Sequence, residues 1–154
     1  MTKTEAVAEL QTSASGDRST IVLFDGVCNF CNAWVKFIIP RDPCARFRFA
    51  ALQSEVGRKL LEQHGLPVDA LDTLVVIESR RAFTHSTAAL RIARRLSFAW
   101  PALYYAAIWI PRPLRDALYT GFARRRYRWF GRSETCPLPP PGIARRFIDV
   151  PDTY

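Results

Sequence analysis

Two cysteines three residues apart, Cys28-Asn29-Phe30-Cys31, follow directly on an apolar run, Ile21-Val22-Leu23-Phe24, that ends in Asp25-Gly26. Such a run closed by Asp-Gly reads as a strand meeting a turn, and from Cys31 the residues Trp34, Val35 and Ile38 recur at helical spacing until Pro40. The cysteines therefore occupy a strand-to-helix junction. Their spacing puts both sulfurs on one side of the first helical turn, close enough to form a small disulfide ring. Unpaired N–H groups and the positive end of the helix dipole stabilise a thiolate at Cys28, the reactive form of a cysteine.

Further elements surround this junction. Arg46 to Ala50 alternates as a half-covered strand, and Ser54 can cap a helix carrying Val56, Leu60 and Leu61 that ends near His64-Gly65. Thr73 to Ile77 reads as a strand buried on both faces, turned by Glu78-Ser79-Arg80 into an antiparallel partner at Arg81 to Thr84. Ser86 then stands at the N-cap of a helix with Ala89, Leu90, Ile92, Ala93 and Leu96 on one side and Arg91, Arg94 and Arg95 on the other. The order βαβ, helix, ββα spans residues 21–97 and places the chain in the α/β class.

Residues 98–135 read as a helical extension packed on that core. Leu96 to Pro111 holds no charged residue, but it is shorter than the about twenty apolar residues a bilayer span needs and is marked by Pro101, so it reads as a core or interface helix. Leu114 to Phe130 reads as a second helix, closed by Gly131. Residues 1–20 are a polar leader expected to be disordered, and the proline-rich tail, 136–154, begins with Cys136 to Pro141, expected to lie extended against the body.

Charge is unevenly spread. The chain carries a net +8, yet residues 1–77 hold 8 basic and 9 acidic groups while residues 78–154 hold 14 and 5. The second half should present a basic face. Met1 to Thr20 lacks the apolar stretch of an export signal, which points to the reducing cytoplasm, where four cysteines serve catalysis or metal binding rather than cross-linking.

Two other classes compete with a redox dithiol. In a zinc-binding structural module Cys28 and Cys31 would supply half a site, but no second Cys-x-x-Cys or His-x-x-x-His completes it, and His64 and His85 stand alone; no metal is expected. In a binding module the working surface would be Arg124, Arg125, Arg126 and Arg128 among aromatic rings, for which an anionic membrane surface or an acidic protein is the partner. No nucleic-acid recognition signature accompanies them, which argues against nucleic acid, and a solvated basic helix end is the plain reading. Cys44 in its loop and Cys136 in the tail read as lone, unreactive thiols.

Asp25-Gly26-Val27-Cys28-Asn29-Phe30-Cys31 resembles the Asp-x-x-Cys-x-x-Cys signature of the DCC family of thiol-disulfide oxidoreductases. The resemblance continues through Phe49 to Gln53, Asp72 to Ile77, Ser86 to Leu96, Ile110-Pro111 with Asp116, and Arg126-Tyr127 with Phe130-Gly131 to Cys136. It implies a thioredoxin-like fold, with which the element order agrees, and dithiol-disulfide exchange with a disulfide-containing protein or small-thiol partner and an electron donor. No organic cofactor is implied. In that reaction Cys28 attacks the partner disulfide and Cys31 resolves the mixed disulfide. A carboxylate beside Cys28 opposes a thiolate, so Asp25 is not the activator; it either accepts the Cys31 proton or fixes the loop. Where thioredoxin-like proteins carry a cis-proline this chain has Asp72, and a cis bond without proline costs roughly 3 kcal/mol. A trans bond is expected, with a groove built differently from Asn29, Phe30, Asp72 and Thr73.

Overall fold

A computed structural model describes residues 20–69, 73–132 and 142–149. The four strands are β1 (Thr20–Phe24), β2 (Phe47–Ala51), β3 (Val75–Glu78) and β4 (Arg81–Thr84); the helices are α1 (Asn29–Ile38), α2 (Glu55–Gln63), α3 (His85–Arg95), α4 (Trp100–Ala107) and α5 (Arg112–Phe130). The sheet runs β2-β1-β3-β4, with β1 parallel to β2 and antiparallel to β3, and β3 antiparallel to β4. This is the thioredoxin-like α/β arrangement.

Strand alternation builds a core on each face of the sheet. Val22, Phe24, Phe47, Phe49 and Val76 point one way and meet Val35 and Ile38 of α1 and Ala88 and Ile92 of α3. Leu23, Ala50, Val75 and Ile77 point the other way, against Leu60 and Leu61 of α2. Every residue of β3 is buried: Val75, Val76 and Ile77 form an apolar run, and Glu78 at its end pairs with Arg91 and Arg95. The Ser54 hydroxyl accepts from the Gly57 N–H and caps α2, while Gly65, at φ +66°, takes the left-handed conformation after that helix. A Cβ on Gly57 would lie 2.2 Å from the Ala51 carbonyl oxygen, so α2 reaches the end of β2 because residue 57 has no side chain.

Several expectations change. Thr20 belongs to β1, and Thr73 precedes β3 instead of opening it. Ser86 is not an N-cap: α3 begins two residues earlier than a cap at Ser86 would place it, after Thr84, and the Ser86 hydroxyl donates to Asp116 of α5. Helix α5 starts at Arg112, with Pro113 in its first turn, where a missing N–H costs nothing. No residue of α4 is buried, so the charge-free segment is not a core helix; Trp100 and Tyr104 are half-buried while Leu103 and Tyr105 are exposed. Residues 1–19, Asp72 and Cys136 to Pro141 lie outside the described residues. Residues 142–149 lie against β2: Phe147 pairs with Phe49, and the Arg146 Nε donates to the Phe47 carbonyl at 2.9 Å. No helix among the described residues is long and apolar enough to cross a membrane.

Candidate active site

The dithiol stands where β1 gives way to α1. Cys28 is the N-cap of α1 in an extended conformation, its sulfur facing the Cys31 N–H at 3.4 Å, and its carbonyl accepts from the Asn32 N–H at 3.0 Å. An N–H aimed at sulfur in the first helical turn favours negative charge there. Both thiols are free. Cys28 is completely buried, whereas Cys31, one turn further on, is partly exposed. Burial pushes the Cys31 thiol up to about 12, against the pull of the Arg126 guanidinium, and its contact with Cys28 adds to the rise.

Beneath the dithiol lies a buried polar cluster. Asp25 Oδ1 accepts from the Val27 N–H at 3.1 Å and from Gln53 Nε2 at 2.6 Å; Oδ2 accepts from Arg126 at 2.9 Å and from the Tyr127 hydroxyl. The carboxylate is 1% exposed and its arginine 3%, so the pair is held out of water. A carboxylate has about four acceptor positions, and all four are filled here. Gln53 also accepts from the Gly26 N–H, and Asn32 donates to the Gly26 carbonyl, so three side chains fasten the turn before Cys28.

Arg126 corrects the basic-surface expectation. Of the four arginines assigned to a partner surface, Arg124, Arg125 and Arg128 are exposed, but Arg126 is buried against Asp25 and is not available there. The helical period carried the signal: Arg126 lies seven residues after Tyr119 and three after Ala123, on the inward stripe of α5. Tyr127 and Gln53 were missed as site residues because their partner is far away in the chain, 102 and 28 residues respectively.

The end of α5 closes over the site. Gly131, at φ +80°, stops the helix, Arg132 pairs with Cys28 as an isolated antiparallel bridge, and the Asn29 side chain donates to the Phe130 carbonyl at 3.1 Å. Phe30 is partly exposed among rings, its centroid 4.9 Å from Phe122 and 4.9 Å from Phe130. Thr73, through its hydroxyl oxygen, accepts from the His85 N–H at the start of α3, and it lines one cavity with Phe30 and Cys31. Beside Cys31, and lined also by Thr73, is a cavity of about 210 Å3 walled by Phe30, Trp34, Leu74, Ala89, Phe122 and Ala123, with Asp25 and Arg126 contributing to its lining.

The sequence profile of the DCC1-like thiol-disulfide oxidoreductase family matches residues 22–132, which reach from β1 to the bridge over Cys28. The chain belongs to this family. The chain is 46% identical to the uncharacterized protein YuxK of Bacillus subtilis over 128 residues that make up 83% of this chain and 93% of that protein. A chloroplastic DCC family protein of Arabidopsis thaliana is 40% identical over 132 residues, 86% of this chain and 77% of that protein. No solved structure matches the chain. Among the described residues no group of three or more His, Cys, Asp or Glu comes together as a metal site. His64 Nδ1 lies 2.7 Å from the Leu60 carbonyl at the end of α2 and His85 Nδ1 lies 3.0 Å from Thr84 Oγ1, so both serve local structure. Cys44 is exposed in its loop.

Proposed function

We propose that this DCC1-like protein exchanges a dithiol for a disulfide through Cys28 and Cys31, with a disulfide-containing protein or small thiol as partner. The observation that carries the reading is Cys28 at the N-cap of α1 with the Cys31 N–H facing its sulfur. Cys28 attacks the partner disulfide once the Gly131-Arg132 stretch lifts, and Cys31 then attacks Cys28 in the mixed disulfide, releasing the partner as a thiol and leaving the protein oxidised. Asp25 acts as a positioning residue. With its acceptor positions filled, a proton from Cys31 would have to displace a donor, so fixing the Gly26-Val27 turn is the role its bonds favour. Asn29, Phe30 and Thr73 border the partner's path, and Asp72 is assigned to the same groove from its place before Thr73.

Trapping tests the exchange. A Cys31→Ser variant should hold disulfide-linked partners through Cys28, and Cys28→Ser should hold none at that position; equal, empty results from both would overturn the reading. A second reading concerns the exterior of α4 and α5. Trp109, between α4 and α5, is 87% exposed, Leu114 and Leu118 of α5 are exposed, and Arg124, Arg125 and Arg128 follow on α5. Apolar side chains that enter a headgroup layer while arginines meet phosphate support an anionic membrane surface as the partner. Flotation with anionic but not neutral vesicles, lost on Trp109→Ser, is expected; flotation with neither would transfer the surface to an acidic protein.

A further inference from the structure

The two sulfurs face different surroundings. Cys28 is completely buried, with Arg132 bridging its backbone, whereas Cys31 forms part of the wall of the 210 Å3 cavity, to which Cys28 does not contribute. In an oxidised Cys28–Cys31 disulfide, the sulfur approachable from the cavity is therefore that of Cys31. An apolar cavity of about 150 Å3 accepts a benzene ring, so this one has room for a single ring or a short carbon chain. Its walls are almost wholly apolar and aromatic, and the two charged residues that line it, Asp25 and Arg126, neutralise each other. A thiol bearing free carboxylates, such as glutathione, would lose its hydration there without gaining a counter-charge.

We propose that the cavity is the entry site of the electron donor, a small apolar dithiol that reduces the oxidised protein by attacking Cys31. The inference rests on the exchange reading above and adds the class of reductant and the sulfur it meets. In the first step the donor thiolate bonds to Cys31 Sγ, the Cys28–Cys31 bond breaks, and the electron pair leaves on Cys28 Sγ, beside the Cys31 N–H. The donor's second thiol then attacks the donor sulfur of the mixed disulfide; Cys31 leaves and takes up a proton, and the donor departs as a cyclic disulfide. Two electrons and two protons pass from the donor to the protein. The burial that holds the Cys31 thiol at about 12 makes Cys31 the harder sulfur to expel, which favours the first attack on Cys31 with Cys28 leaving.

Two probes test this on the full chain, with Cys44→Ser and Cys136→Ser present. Benzyl mercaptan, an apolar monothiol that cannot complete the second step within its own molecule, should accumulate as a mixed disulfide on Cys31, located by mass spectrometry after acid quenching. A mixed disulfide on Cys28 would overturn the proposal. Dihydrolipoamide should reduce the oxidised protein faster than dithiothreitol does, beyond their ratio toward a small free disulfide, and Ala123→Leu should lower that preference by about tenfold, as crowding a pocket by a few methylenes does. An unchanged preference in a folded Ala123→Leu variant would also overturn it, and if that variant does not fold the benzyl mercaptan position still decides. Failure of the exchange reading looks different: then no Cys28–Cys31 disulfide forms, or dithiothreitol does not reduce it.

Discussion

A buried ion pair carries most of the risk at the level of single residues. Asp25 and Arg126 are both held out of water, so removing one partner strands a charge, at a cost of about 3–5 kcal/mol, whereas removing both is far milder. Arg126→Met should lower urea stability by about 3 kcal/mol, and adding Asp25→Asn should restore part of it. A neutral Arg126→Met would show that the pair is not made in solution. Cys31 gives a pH-dependent test. In a variant whose other cysteines are replaced, its alkylation should climb with pH and show no plateau near the ordinary value of about 8.5, because burial holds the thiol up. The folded chain binds this proton more tightly than the unfolded one, so the associated stability is complete below about pH 8.5 and is lost as pH rises toward 12. Little of this cluster was legible in advance. The dithiol, Asp25 and their order stood in seven consecutive residues, but the partner that neutralises Asp25 lies 101 residues away inside a run of arginines that reads as surface.

Helices and strands were legible to the degree that local chemistry decides them. Ser54, Gly65 and Gly131 mark helix ends through caps and left-handed turns that need no distant partner. Ser86 misled because a serine before an apolar stripe has two uses, and here a neighbouring helix supplies Asp116 as its acceptor. The charge-free Trp100 to Ala107 segment left two readings open, core or interface, and only the core one fails: apolar composition predicts burial only where another layer exists to receive it, and α4 lies at the outside of α3. Gly57 belongs to a third kind, a residue whose importance lies in what it lacks. Gly57→Ala would drive a methyl group into the Ala51 carbonyl, where backbone rather than a flexible side chain must yield, and should cost about 2–3 kcal/mol by thermal or urea unfolding, despite alanine's better helix propensity. A gain in stability would mean that α2 stands off from β2.

Across the whole molecule, residues at opposite ends of the family match meet over the dithiol. The Asn29 side chain and the Phe130 carbonyl, 101 residues apart, hold the end of α5 down, and Arg132 pairs with Cys28. Asn29→Ala removes one hydrogen bond worth about 1 kcal/mol, so iodoacetamide should modify Cys28 about fivefold faster while Cys44 reacts as before. An unchanged Cys28 rate would show that the segment opens by another route. The order of the elements foretold a strand-helix junction able to hold a dithiol, but not its cover, because bridging depends on where a 19-residue helix happens to end in space.

The short Arg132 bridge makes the chain a tethered rival to any partner that would pair its own extended backbone beside Cys28. A tethered segment does not dilute away, so a partner's apparent affinity is its intrinsic affinity scaled by the fraction of molecules in which the segment is lifted. Selectivity can then arise without a deep substrate groove: only a partner that binds α5 or its exposed end well enough to hold the segment aside gains lasting access to the first cysteine.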